Sequence, residues 1–291
     1  MVDKMTEMEY LVEQNEEEVI KKKNLKPIVQ LGIVLIFTGF SSVLLMLLGE
    51  FIDIGDKRII LPLVAYPINI LAIRIIFPKK IKSPFGEIGA NEFSQNIGLY
   101  KPDNLLKNIL LGIFLGICSL SGMLIGSILT GRYQFNLEQL ELEQLIFATT
   151  PGLWEEVFYR GILMFVLFQM IKDVKKAAII QSIIFGIGHF QSFDVWSMVN
   201  IISVIFIGFG LTYVAYKTNS LIPSIIFHFL HDGFIFLVQT PDRSYYGIYE
   251  NSVFLISLWI MIVLGCLITK ISVEKGKIAQ TKILYDISKI R

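Results

Sequence analysis

Residues 144–170 read QLIFATTPGLWEEVFYRGILMFVLFQM, a run that is membrane-length and apolar yet carries Glu155, Glu156 and Arg160 in its interior. About 20 apolar residues cross a hydrocarbon core of about 30 Å, so this run is long enough. Ionisable groups at membrane depth are costly unless paired, and by default they mark function. They lie about ten residues from the outer end of the run, which at 1.5 Å per residue is roughly 15 Å deep. Ordinary snorkelling does not reach that far.

The rest of the chain has the same character. Of its 291 residues 54% are hydrophobic and only 18% charged, and the mean hydropathy is +0.62. That composition excludes an ordinary soluble domain. The net charge of +1 is uninformative by itself, and no nucleic-acid partner is expected. Apolar runs at about 28–49, 59–77, 105–130, 144–170, 176–190, 197–216, 220–238 and 252–269 predict eight transmembrane helices. The expected fold is all-α, a polytopic membrane helix bundle.

Basic residues orient this bundle, because loops rich in Lys and Arg stay cytoplasmic. With the N-terminus inside, twenty of them fall on inner segments and only Lys57, Arg58, Arg132 and Arg243 on outer loops. Both termini are therefore expected in the cytoplasm. The chain divides into a polar tail at 1–26, a transmembrane domain at 27–270 and a second tail at 271–291. In the first tail Met5, Met8, Val12 and Val19 permit a weak surface helix, but a solvated tail is expected. No cleavable signal peptide is expected, because the start is acidic and the first apolar run exceeds an h-region.

Other charges and breakers have plain explanations. Arg74 lies close enough to Phe77 and Pro78 to snorkel to the interface. Pro62 and Pro67 read as a kink. Asp53, Asp56 and Asp242 belong to outer loops. Cys118 and Cys266 lack metal-site spacing and read as small core residues.

Glu156 and Arg160 are i,i+4 on a helix and can form a bidentate ion pair. Glu155 lies about 100° around the helix, without that partner. One carboxylate is thus held by arginine, while the other is free to bind water or metal. A helix-packing network is the structural alternative.

The chain has three histidines, His189, His228 and His231. His189 ends the run Phe185-Gly186-Ile187-Gly188-His189, whose glycines permit close helix approach. His228 and Asp232 are i,i+4 on a later span and face one cleft. Rise along the helices brings His189, His228 and Glu155 to similar depth.

Two chemistries fit such a set. In one, Glu155, His189 and His228 ligate a divalent metal such as zinc, with an open position for water. In the other, Glu155 is a metal-independent general base while His228 and Asp232 support the oxyanion. Asp232 must then be protonated or orient His228.

In this order, Glu155-Glu156-x-x-x-Arg160-Gly161, Phe185-x-x-x-His189 and His228-x-x-x-Asp232 resemble the CPBP family of intramembrane peptidases, which includes the CAAX prenyl endopeptidases and the bacterial Abi proteins. The resemblance covers about 143–235. It implies a metallo- or glutamate-type endopeptidase in which Glu155 activates water with His189. It makes Glu156 and Arg160 electrostatic supports, and gives His228 and Asp232 the third motif. His231 has no counterpart there and reads as an interior histidine.

The resemblance further implies a membrane-associated peptide or protein substrate, CAAX-like where lipidated. This chain ends Ser288-Lys289-Ile290-Arg291, without a CAAX box, and is not expected to be its own substrate. Its Ile- and Lys-rich composition suggests a prokaryotic cell membrane. Tyr245, Tyr246 and Tyr249 read as interfacial anchors. The competing function classes are a proton-coupled transporter and a non-catalytic scaffold or immunity protein. The absence of self-similar halves weighs against the transporter, and the intact motifs weigh against the scaffold.

Overall fold

The computed structural model describes residues 104–131, 134–135, 152–153, 155–190, 192–239 and 248–275, with 81–83, 86–88 and four positions between 29 and 36. Apart from those four positions in the first expected span and residues 271–275 of the second tail, where the last helix continues, the first two expected spans, both tails and the start of the fourth span lie outside the described residues. Within them the fold is helical. Helix α1 (Leu105–Thr130) is followed by a π-helical segment (Glu156–Leu163) that runs straight into α2 (Met164–Ile171). Then come α3 (Val174–Ile187), α4 (Val195–Thr218), α5 (Ile222–Leu237) and α6 (Ile248–Glu274). Three of these, Leu105–Thr130, Ser197–Thr218 and Ser252–Glu274, are long and apolar enough to cross a membrane. An integral membrane protein follows.

The expected all-α class needs one qualification. Strand fragments β1 (Ile81–Ser83) and β2 (Gly86–Ile88) pair antiparallel, as do β3 (Gln134–Phe135) and β4 (Val238–Gln239). The second pair joins the chain just past α1 to the chain just past α5. Those two helix ends therefore lie on the same side of the bundle.

Small residues set how the helices meet, as is usual where lipid removes the hydrophobic drive between them. Helix α1 carries two glycine pairs at i,i+4, and each serves a different neighbour. A β-carbon at Gly112 would lie 2.7 Å from Ile226 Cβ, and one at Gly116 would lie 2.8 Å from Leu230 Cβ. Numbers rise together, so α1 and α5 are parallel. On another face, β-carbons at Gly122 and Gly126 would lie 2.7 Å from Leu258 Cα and 2.8 Å from Phe254 Cα. There the order reverses, and α1 and α6 are antiparallel.

Helices α3 and α4 are antiparallel too, with Gly186 against Ile201 and Ile205, and Gly208 against Ser182. A polar bond reinforces this pair: the buried Gln181 accepts from Thr212 Oγ1 at 2.6 Å. Helix α4 runs parallel to α6, where Trp259 Nε1 donates to Ser203 Oγ at 3.2 Å and Gly210 faces Ile262 and Cys266. These four relationships are the directions that spans alternating across a bilayer must have.

Turn chemistry fits each end. Gly131 (φ 62°) closes α1, and Asn219 (φ 52°) closes α4; both occupy the left-handed region that favours Gly and Asn. Asp173 caps α3 by accepting from the Lys175 and Lys176 amides, and Asp194 caps α4 by accepting from the Ser197 amide. Cys118 is buried and Cys266 half-buried, and both are free thiols, as small core residues would be.

Gly122→Val tests the α1–α6 contact, because its new atoms would meet backbone that cannot rotate away. Overpacking of this kind costs about 1–3 kcal/mol or more. A lower melting temperature in detergent is expected, and the exposed, lipid-facing Ile128→Val is the matched control that should leave it unchanged.

Candidate active site

The π-helical segment begins at Glu156, with Glu155 immediately before it in helical geometry (φ −69°, ψ −43°). Single turns of π-helix are uncommon and often occur at functional sites, because widening the turn re-aims side chains. Here the i,i+4 ion pair survives the widening. Arg160 Nη1 lies 2.9 Å from Glu156 Oε1, with both side chains fully buried. The guanidinium also stacks over the Phe185 ring, 3.8 Å from its centroid. In an apolar interior that is a favourable cation–π contact.

Glu156 has a second partner that helical spacing does not reveal. His228 Nδ1 lies 2.8 Å from the same oxygen, Oε1. Paired with arginine, Glu156 is ionised and an acceptor only, so the histidine must donate its Nδ1–H. His228 therefore turns Nε2 toward the rest of the site, 3.8 Å from Glu155 Oε2 and 3.5 Å from Asp232 Oδ2.

His189 is arranged alike. Its Nδ1 lies 2.8 Å from the Phe185 carbonyl oxygen, which can only accept, so Nδ1–H is the donor. The ring packs edge-on against Phe185, with centroids 4.7 Å apart. Nε2 is left 3.8 Å from Glu155 Oε2. Glu155 Oε2 is buried and, among the described residues, has no hydrogen-bond partner. Buried polar atoms are normally satisfied, and one that is not calls for a functional account.

Six expected site residues are thus brought into one cluster, Glu155, Glu156, Arg160, His189, His228 and Asp232. Side-chain exposure rises from zero at Glu156 through 9% at His228, 12% at Glu155 and 23% at Asp232 to 32% at His189. His189, His228 and Asp232 line a cavity of about 200 Å³, which continues between α4, α5 and α6 past Phe227, Leu211 and Leu258. The separation of Glu156 from Glu155 holds, but Glu156 does more than balance an arginine. It also sets which nitrogen of His228 faces the cleft.

The donor chemistry fits a divalent metal. Glu155 Oε2, His189 Nε2 and His228 Nε2 converge, and each imidazole is oriented by a bond from its far nitrogen, as metal-binding histidines are. Yet their 3.8 Å spacings exceed the roughly 3.4 Å between ligand atoms of a tetrahedral zinc with bonds of about 2.1 Å. No three His, Cys, Asp or Glu among the described residues form a ready-made cage. Closure by a few tenths of an ångström would be needed.

Residues 139–234 match the family model described as type II CAAX prenyl endopeptidase Rce1-like. The segment is Rce1-like. The match bears out the resemblance to CAAX-type peptidases and holds all six clustered residues. With the three membrane-length helices, this Rce1-like segment supports a CAAX-type intramembrane protease at family level. Among curated proteins none matches the chain.

Helical spacing anticipates the Glu156–Arg160 pair and the shared cleft of His228 and Asp232. It does not anticipate the π-helical turn, the Glu156–His228 bond, or Phe185 as the platform beneath Arg160. The only advance sign of that platform was the Phe185-x-x-x-His189 spacing. Nor does it foresee that His231, expected as an interior histidine, bonds Ser119 of α1, with Nδ1 2.6 Å from Oγ.

Removing one member of a buried ion pair strands the other, typically at about 3–5 kcal/mol. Arg160→Leu should therefore destabilise the protein severely. Thermal unfolding followed by tryptophan fluorescence should show a far larger loss for Arg160→Leu than for the exposed control Lys176→Leu.

Proposed function

We propose that the protein is an intramembrane endopeptidase in which Glu155 activates a water held against the Nε2 atoms of His189 and His228. One observation carries this reading: Glu155 Oε2 is 3.8 Å from both nitrogens, and the three side chains come from separate elements. That gap is too long for direct hydrogen bonds but suits one water about 2.9 Å from Glu155 Oε2, its two hydrogens shared between that oxygen and an Nε2 lone pair. Glu155 takes a proton from that water as hydroxide adds to the scissile carbonyl carbon. When the carbon–nitrogen bond breaks, the same carboxyl returns the proton to the leaving amine.

Glu156 and Arg160 support the site from behind. Because Glu156 holds Nδ1–H of His228, the Nε2 lone pair stays turned toward the Glu155 water. Asp232 Oδ2 lies 3.5 Å from His228 Nε2, which keeps within reach both roles open to it, carrying a proton or orienting that ring. His189 stands at the open edge of the cluster, where substrate would arrive. Glu155, His189 and His228 are also the residues that would hold a divalent ion such as zinc. When bound, such an ion supplies Lewis acidity and a more acidic water.

The substrate we infer is a membrane-associated peptide or protein, prenylated at a CAAX-like end, that reaches the cluster from within the bilayer. The distribution of basic residues supports cytoplasmic termini around an eight-helix domain. A purified protein should cleave such a peptide, and Glu155→Gln and His189→Ala should each lower kcat/KM by about 10²–10⁴. Unchanged cleavage in both variants overturns the assignment. Loss of activity on chelation, restored by zinc, selects the metal-assisted chemistry; indifference to chelation, with no metal in the active protein, selects the glutamate-only one.

A further inference from the structure

His231 is the histidine that the mechanism above leaves unused, and its surroundings are built. It lies one helical turn past His228 on α5, and its ring stacks on Phe227 with centroids 5.5 Å apart and planes 9° from parallel. Stacking fixes the ring plane. The 2.6 Å bond to Ser119 fixes the rotation within it. Ser119 is fully buried on α1, and among the described residues this is its one hydrogen bond.

That bond determines where the hydrogens are. A buried hydroxyl must donate, since leaving its proton unpaired costs about 1–3 kcal/mol. Other serines of α1 donate to the carbonyl four residues back, as Ser127 does to Met123. Ser119 is not bonded in this way, so its O–H goes to His231 Nδ1. A neutral imidazole that accepts at Nδ1 carries its hydrogen on Nε2. His231 lines the same cavity as His189, His228 and Asp232. Its Nε2–H has no partner among the described residues, and Nε2 is not one of the sealed, unpartnered atoms.

We propose that His231 is a substrate-binding residue whose Nε2–H donates to a backbone carbonyl of the bound peptide, with Ser119 as the residue that positions it. The proposal rests on the peptidase reading above and deepens it. A single donor beside Asp232 suits a neutral carbonyl rather than a carboxylate, which Asp232 would repel. It specifies that the peptide lies extended along α5, from the Glu155 water toward the cavity. Ser119 would also make α1 part of the site, although α1 lies outside the segment that matches the Rce1-like model.

The test uses the full chain in nanodiscs, with Glu155→Gln present to prevent turnover. The probe is a fluorescent farnesylated Cys-aliphatic-aliphatic-Met peptide, read by anisotropy. A companion series replaces each amide carbonyl in turn by a thioamide, a weaker acceptor. One thioamide position should bind about 3- to 10-fold more weakly than the parent, the worth of one hydrogen bond. With His231→Leu that difference should vanish, with His231→Gln it should largely return, and with Ser119→Ala it should shrink. A purely structural role would weaken parent and thioamide alike. Binding and wild-type cleavage without any thioamide coupled to His231 overturn this proposal alone. A protein that neither binds nor cleaves the peptide overturns the peptidase reading and this proposal together.

Discussion

A single buried carboxylate oxygen, Glu156 Oε1, takes both the Arg160 guanidinium and the Nδ1–H of His228. The rest of the site follows from that sharing. Arg160 in turn lies over Phe185, and the Phe185 carbonyl takes Nδ1–H of His189. A continuous path therefore runs from His189 on the end of α3, through the π-helical segment, to His228 on α5. Each link has polar or charged groups that lipid cannot satisfy, so breaking any one strands another. The two imidazoles are consequently held by the same network that neutralises the charges.

Much of the fold could be read from the chain because the bilayer imposes simple rules. The third apolar run and α1 coincide at residues 105–130, and the later runs match α3 to α6 within a few residues. Apolar length decides such boundaries, and the alternation of basic loops already implied the helix directions found. What could not be read was backbone detail and distant contact. No residue type encodes an i→i+5 turn, so the segment at Glu156 looked like ordinary α-helix. The short strand pairs lie in loops whose periodicity is too brief to register.

The site divides the same way. Pairs four residues apart on one helix, Glu156 with Arg160 and His228 with Asp232, were legible because helical geometry places them together. The bonds from Glu156 to His228 and from Ser119 to His231 span 72 and 112 residues. They depend on packing that local pattern does not specify. Ser119 in particular is one of several small residues on a glycine-rich helix, and nothing in its neighbourhood marks it as polar machinery.

Geometry also gives the two halves of the cluster different duties. The oxygen that anchors His228 belongs to a sealed ion pair, whereas the carbonyl that anchors His189 belongs to the last turn before a helix end. The first anchor is rigid and dry. The second stands where α3 gives way at Gly188, and His189 is the most exposed of the six residues. A group entering beside His189 would meet Glu155 before it met the sealed Glu156–Arg160 pair. Glu155 keeps 12% of its side chain exposed near that edge, while the Glu156 and Arg160 side chains are sealed behind it. Charges at membrane depth are tolerable on those terms, with the Glu156–Arg160 ion pair enclosed and the unpaired carboxylate of Glu155 nearer the margin.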